Sequence, residues 1–188
     1  MMIGKNTESR HILPLIKSGT VGAEIGVWMG ESTELFVKQK LKKLYIVDPW
    51  SVEPYEGQES WDYYIDRYSK IVGSKNPEDF QKYYDNVYQK VYDKYKIYPN
   101  CEIRRELSST FYESLTEKLD WIYIDGDHSY EGAYYDFEMA LSVVKPGGII
   151  IGDDYGNKKD VVRAVDDWAK KYNKELHRYG KNQVVAYV

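Results

Sequence analysis

Residues 21–33 read VGAEIGVWMGEST, a short apolar run that ends in glycine and turns directly into a helix. A continuous apolar run of this length suits a strand buried on both faces. The pattern recurs in KLYIVD (43–48), DWIYID (120–125) and GGIIIGDD (147–154), which gives four strands of the buried type. Helical periods lie between them. In 131–144, Ala133, Phe137, Ala140, Leu141 and Val144 fall on one face, and in 158–172 Val161, Val165, Trp168, Ala169 and Tyr172 do. Strands alternating with helices predict an α/β fold, a parallel sheet with helices on both faces. Asn76 followed by Pro77, Glu78 and Asp79 has a cap, a first-turn proline and first-turn acids. A helix is expected to start there, bury Phe80, Tyr84, Val87, Val91 and Tyr95, and end before Pro99. At the end of the chain, ELHRY, GKN and QVVAYV predict an antiparallel hairpin.

The 188 residues carry 26 Lys plus Arg against 30 Asp plus Glu, a formal charge of -4. That describes one domain, residues 1–188, with a core of its own. Acid surplus without a basic run argues against nucleic acid, and no apolar run is long enough to cross a bilayer. With the single Cys101 and no apolar block behind a basic start, the expected compartment is the cytoplasm. Most of the 20 Tyr and 5 Trp are expected in the core. The connection 49–76 is long for a compact domain. Trp61, Ile65, Tyr68 and Ile71 stand at helical spacing within it and predict an amphipathic helix. The same insertion reads as a lid over the sheet's carboxyl edge, with Trp50, Tyr55, Trp61, Tyr63 or Tyr64 offering flat faces to a substrate.

Chemistry concentrates at the strand ends. Gly26 and Gly30 are spaced G-x-x-x-G, so the dinucleotide fingerprint is missing, yet glycines here let the backbone approach a ligand at a helix N-terminus. Asp48 closes the second strand, where an acid can accept hydrogen bonds from both hydroxyls of a ribose. Asp125, Asp127 and His128 follow one strand and Asp153 and Asp154 another. Four carboxylates on one edge are costly unless a cation neutralises them. Oxygen ligands from Asp125, Asp153 and Asp154 suit Mg²⁺ or a similar divalent ion better than zinc. His11 and His177 read as surface or packing residues.

These stretches in this order resemble the class I S-adenosylmethionine-dependent methyltransferases. More narrowly, VGAEIGVWMGEST, YIVDPW, WIYIDGDHSYEGAYYDFEMAL, KPGGIIIGDDYG and VVRAVDDW resemble the metal-dependent sugar O-methyltransferases of macrolide and aminocoumarin biosynthesis. The resemblance implies a Rossmann-like, seven-stranded, mostly parallel sheet closed by the antiparallel hairpin. It implies that Glu24, Gly26, Gly30 and Ser32 form the S-adenosylmethionine loop, that Asp48 holds the ribose, that Ser108 and Ser109 lie by the adenine, and that Asp125 borders both donor and metal. Asp125, Asp153 and Asp154 are the implied metal ligands. His128 matches the base position, with Asp127 as the alternative. The expected partner is a small-molecule acceptor, a sugar or glycoside with neighbouring hydroxyls. A catechol would satisfy the same metal, and a homo-oligomer is open. Two rivals stand beside this reading. Asp125-Gly126-Asp127 is also a D-x-D of the kind that holds metal and diphosphate in nucleotide-sugar glycosyltransferases, and a non-catalytic S-adenosylmethionine-binding module would keep the loop without the chemistry.

Overall fold

The computed structural model describes residues 8–52 and 61–188. β1 (Val21–Ile25), β2 (Lys43–Val47), β3 (Cys101–Arg104), β4 (Leu119–Ile124) and β5 (Val144–Gly152) pair in parallel. β6 (His177–Tyr179) and β7 (Gln183–Tyr187) form the hairpin, with β7 antiparallel to both β6 and β5. The order is β3-β2-β1-β4-β5-β7-β6. The sheet is thus seven-stranded and mostly parallel, as the resemblance implies. Its order reverses between β1 and β4, which opens a crevice at their carboxyl ends.

The strands alternate their side chains between two cores. Ile122 and Ile124 of β4 join Ala23, Ile150 and Val184 on one face, which is covered by α4 (Ser108–Ser114), α5 (Tyr130–Val143) and α6 (Lys159–Lys171) through Phe111, Phe137 and Trp168. Trp121 and Tyr123 join Leu44, Ile46 and Ile151 on the other, beneath α1 (Thr33–Phe36), α3 (Pro77–Tyr95) and the 3-10 segment Glu8–Leu15. Burying each large side chain contributes about 1.5–3 kcal/mol. α3 starts as its sequence predicts: the Asn76 side chain accepts a hydrogen bond from the Glu78 amide, with Pro77 in the first turn. Four of its five expected core residues are buried, while Tyr84 is only partly so.

The long connection forms a helix, α2 (Trp61–Val72), which turns Ile65 and Tyr68 of the expected stripe inward but not Ile71. Ile65 is buried beside Tyr64, Val52 and Phe80, whereas Ile71 is 42% exposed. Trp50 is fully buried rather than facing a substrate. Its ring packs on Tyr88 at 5.1 Å and its indole N–H donates to the Trp28 carbonyl at 2.9 Å. Tyr55 and the side chains of Trp61 and Tyr63 lie outside the described residues. Among the described residues, no helix is long and apolar enough to cross a membrane.

Candidate active site

The turn after β1 is built on backbone conformations that few side chains tolerate. Gly26 has φ +82°, and a Cβ there would stand 2.0 Å from the Asp125 carbonyl oxygen, so the loops after β1 and β4 touch only because this residue is glycine. Trp28, Trp50 and Asp154 also adopt positive φ, and strained backbone of this kind clusters at ligand sites. Asp48 holds the turn. Its Oδ2 accepts the amides of Val27 and Trp28, both at 2.9 Å, and its Oδ1 accepts the Trp50 amide at 2.7 Å. Burial raises its pKa although these three amides oppose the shift. Glu24 and Gly30 stand behind the loop. Buried Glu24 accepts a hydrogen bond from the Thr33 hydroxyl at 2.5 Å, and the Gly30 carbonyl accepts one from the Tyr95 hydroxyl at 2.6 Å.

On the other side of the crevice, His128 Nε2 lies 3.3 Å from Asp125 Oδ1 and 3.0 Å from Asp154 Oδ2. One ligand atom from each of these three residues lies within 4.8 Å of the others. Burial, with the charge of Asp153 behind it, pushes the Asp125 carboxyl up to about 7. Burial opposes the charged form of His128, but the hydrogen bond and charge of Asp125, with Asp154, raise the imidazole above its ordinary value. Two close carboxylates therefore need a positive neighbour, either the imidazolium or a cation. The carboxylates of Asp125 and Asp154, with Asp153 on the same cleft edge, are hard oxygen donors that fit a divalent ion such as Mg²⁺ or Mn²⁺. Asp153 reaches the same edge with both oxygens engaged: Oδ2 accepts the Tyr123 hydroxyl at 2.5 Å, and Oδ1 accepts the Gln183 amide group at 3.0 Å and the Asp154 amide at 2.7 Å. Asp127 turns away. Its carboxylate accepts the Ser129 amide at 2.9 Å and hydroxyl at 2.8 Å, while Ser129 caps α5 by accepting the Gly132 amide.

Between the two halves lies a cleft of about 580 Å³. Its volume suits a small-molecule ligand. A family model described as a methyltransferase domain matches residues 23–155. The chain belongs to this methyltransferase family. The protein R132 of Acanthamoeba polyphaga mimivirus is 28% identical over 134 residues, covering 70% of this chain and 50% of R132, so the chain spans about half the length of that curated relative. Among solved structures, SMU.1697c of Streptococcus mutans, in complex with SAH, aligns with a TM-score of 0.62 at 12% identity, covering 100% of this chain and 99% of that one. The O-methyltransferase NovP aligns at 0.56 and 16%, covering 96% and 76%. At such identities the likeness shows the fold, which is that of the class I S-adenosylmethionine-dependent methyltransferases. Family membership sets aside the glycosyltransferase reading of Asp125-Gly126-Asp127.

Of the residues expected in the site, Gly26, Ser32, Asp48, Ser108, Ser109, Asp125, Asp127, His128, Asp153 and Asp154 border the cleft, whereas Glu24 and Gly30 do not. Tyr68 borders it too, as does Tyr84, which was expected in the core, and sequence reasoning missed Asp136 of α5. Asp136 is 3% exposed, and its Oδ1 has no hydrogen-bond partner among the described residues. Its place on the inner face of an amphipathic helix, one residue before Phe137, was the available signal. Burial pushes this carboxyl up to about 7 from an ordinary 3.8, against a hydrogen bond from Ser108. The folded state therefore keeps a proton that the unfolded chain has lost, and stability falls as pH rises from about 4 to 7. Asp136→Asn removes that dependence, so its stability relative to wild type should improve by about 2–3 kcal/mol between pH 5 and pH 8. Urea unfolding at the two pH values checks this. An equal difference at both would mean that Asp136 is ionised throughout.

Proposed function

We propose that this protein transfers the methyl group of S-adenosylmethionine to a hydroxyl of a sugar or glycoside that carries neighbouring hydroxyls, with a divalent cation at Asp125, Asp153 and Asp154. The observation that carries the reading is the meeting of Asp125, His128 and Asp154 in the same cleft as the Gly26 turn and Asp48. Methyl transfer from sulfonium to oxygen is an in-line displacement, so the chain's main task is to hold donor and acceptor at near-attack distance. The Gly26 turn and Asp48 shape the donor end, with Ser108 and Ser109 toward its adenine. A bound cation would stabilise the alkoxide that develops on the acceptor. The neutral imidazole of His128 takes the acceptor's proton. Tyr64, Tyr68 and Tyr84 border the cleft and supply aromatic faces suited to the apolar side of a sugar ring. Tyr64 and Tyr68 come from α2, which acts as a cover in this reading.

Labelled donor incubated with deoxyhexosides, nucleotide sugars and catechols tests the acceptor class. Methylation confined to catechols would refute the sugar. The donor end has its own test. Asp48→Ala should weaken S-adenosylhomocysteine binding by about 1.5–3 kcal/mol, because it removes the acceptor of three amides that shape the turn as well as any contact to the ribose. Unchanged affinity in calorimetry would remove Asp48 from the donor site.

A further inference from the structure

Tyr123 sits in the middle of the central strand β4, its buried ring edge-on to Phe36 at 5.2 Å. Phenylalanine would fill the same apolar space, so the hydroxyl is the part that needs a reason. It donates to Asp153 Oδ2 at 2.5 Å. On its other side the hydroxyl of Ser9, from the 3-10 segment, lies 3.0 Å away, and Ser9 Oγ lies 3.3 Å from Ser32 Oγ. All four side chains are buried. An ionised carboxylate can only accept, and each hydroxyl has one proton to give. The directions are therefore forced: Ser32 donates to Ser9, Ser9 to Tyr123 and Tyr123 to Asp153. Chains of donors pointing one way polarise and strengthen each other. The second carboxylate oxygen is held by the Gln183 side chain at 3.0 Å and the Asp154 amide at 2.7 Å. Asp153 is thus clamped on both oxygens by β4, β7 and its own turn, with the N-terminal segment behind.

We infer that Tyr123, backed by Ser9, is a positioning residue that fixes the Asp153 carboxylate for a divalent cation. The inference rests on the metal reading of the preceding subsection. Neighbours that orient a metal ligand typically change metal affinity by about 10–100-fold when removed.

The test is Mn²⁺ binding, followed by the electron paramagnetic resonance of the free ion, on wild type, Tyr123→Phe and Ser9→Ala, with calorimetry of S-adenosylhomocysteine on the same samples. Tyr123→Phe is expected to raise the Mn²⁺ dissociation constant about 10–100-fold while leaving S-adenosylhomocysteine affinity unchanged, and Ser9→Ala to act in the same direction by a smaller factor. A merely structural role would weaken both ligands together, and that outcome overturns the inference. Equal Mn²⁺ affinity in Tyr123→Phe and wild type overturns it as well, with the metal reading intact. A wild type that binds S-adenosylhomocysteine but no Mn²⁺ removes the metal reading itself, and the positioning role falls with it.

Discussion

Replacing His128 with alanine is expected to lower turnover by about 10²–10⁴-fold, the usual contribution of a general base, with little change in donor affinity. His128 Nε2 faces the cleft beside Asp125 and Asp154, at the position where the acceptor's proton leaves in the proposed reaction. Asp127, the rival base, spends its carboxylate on the Ser129 amide and hydroxyl. Asp127→Asn should therefore act on the α5 cap, at a cost of about 1 kcal/mol in stability. Steady-state kinetics of both variants decides between them. With His128 as the base, the acidic limb of the pH–rate profile, where the imidazole is protonated, disappears in His128→Ala. A crippled Asp127→Asn beside a nearly silent His128→Ala would move the role to Asp127. Mn²⁺ affinity supplies a second axis, since a base can be lost without loosening the ion whereas a ligand cannot.

Much of this arrangement can be read from the chain. β1, β2, β4 and β5 are legible because strands buried on both faces must be apolar throughout, and the acids that follow them then fall on one edge. β3 is not. Cys101–Arg104 lies at the edge of the sheet, half-buried along its length, and Glu102 and Arg104 form an ion pair with each other instead of an apolar run. α4 opens on three hydroxyl residues, Ser108-Ser109-Thr110, a type that favours caps and turns over helix interiors. Helical spacing placed α2 and the inward turn of Ile65 and Tyr68, but not Ile71, because Tyr64 rather than Ile71 meets Phe80 from α3. Trp50 illustrates a different limit. Its positive φ of 42° follows from Asp48 gathering three amides, and that backbone turn sends the indole into the core. Glu24 shows the same limit at the donor loop, since its partner Thr33 is fixed only once α1 folds back over β1. Tyr123 lies within an apolar run, and nothing in a pattern of hydropathy says which carboxylate a tyrosine hydroxyl will reach.

Removal of divalent metal should abolish methyl transfer, and Mg²⁺ or Mn²⁺ should restore it, while S-adenosylhomocysteine still binds. Apart from Asp125, whose backbone stands against Gly26, the two ends of the cleft are built from different residues: the Gly26 turn with Asp48 on one side, Asp153 and Asp154 on the other. Donor binding therefore does not require the acidic end to be filled. Acceptor activation does, because an alcohol is a poor nucleophile until charge on its oxygen is stabilised. Stabilisation of several kcal/mol is the usual metal contribution, and each 1.36 kcal/mol is tenfold, so the loss should be about 10³-fold or greater. The measurement is labelled-methyl incorporation before chelation, in excess chelator and after repletion, with calorimetry of the donor product in parallel. Full activity in excess chelator, on protein shown to be metal-free by elemental analysis, would sink the idea. In that case the protonated His128 would be what neutralises Asp125 and Asp154, and a group already carrying that proton could not also serve as the base.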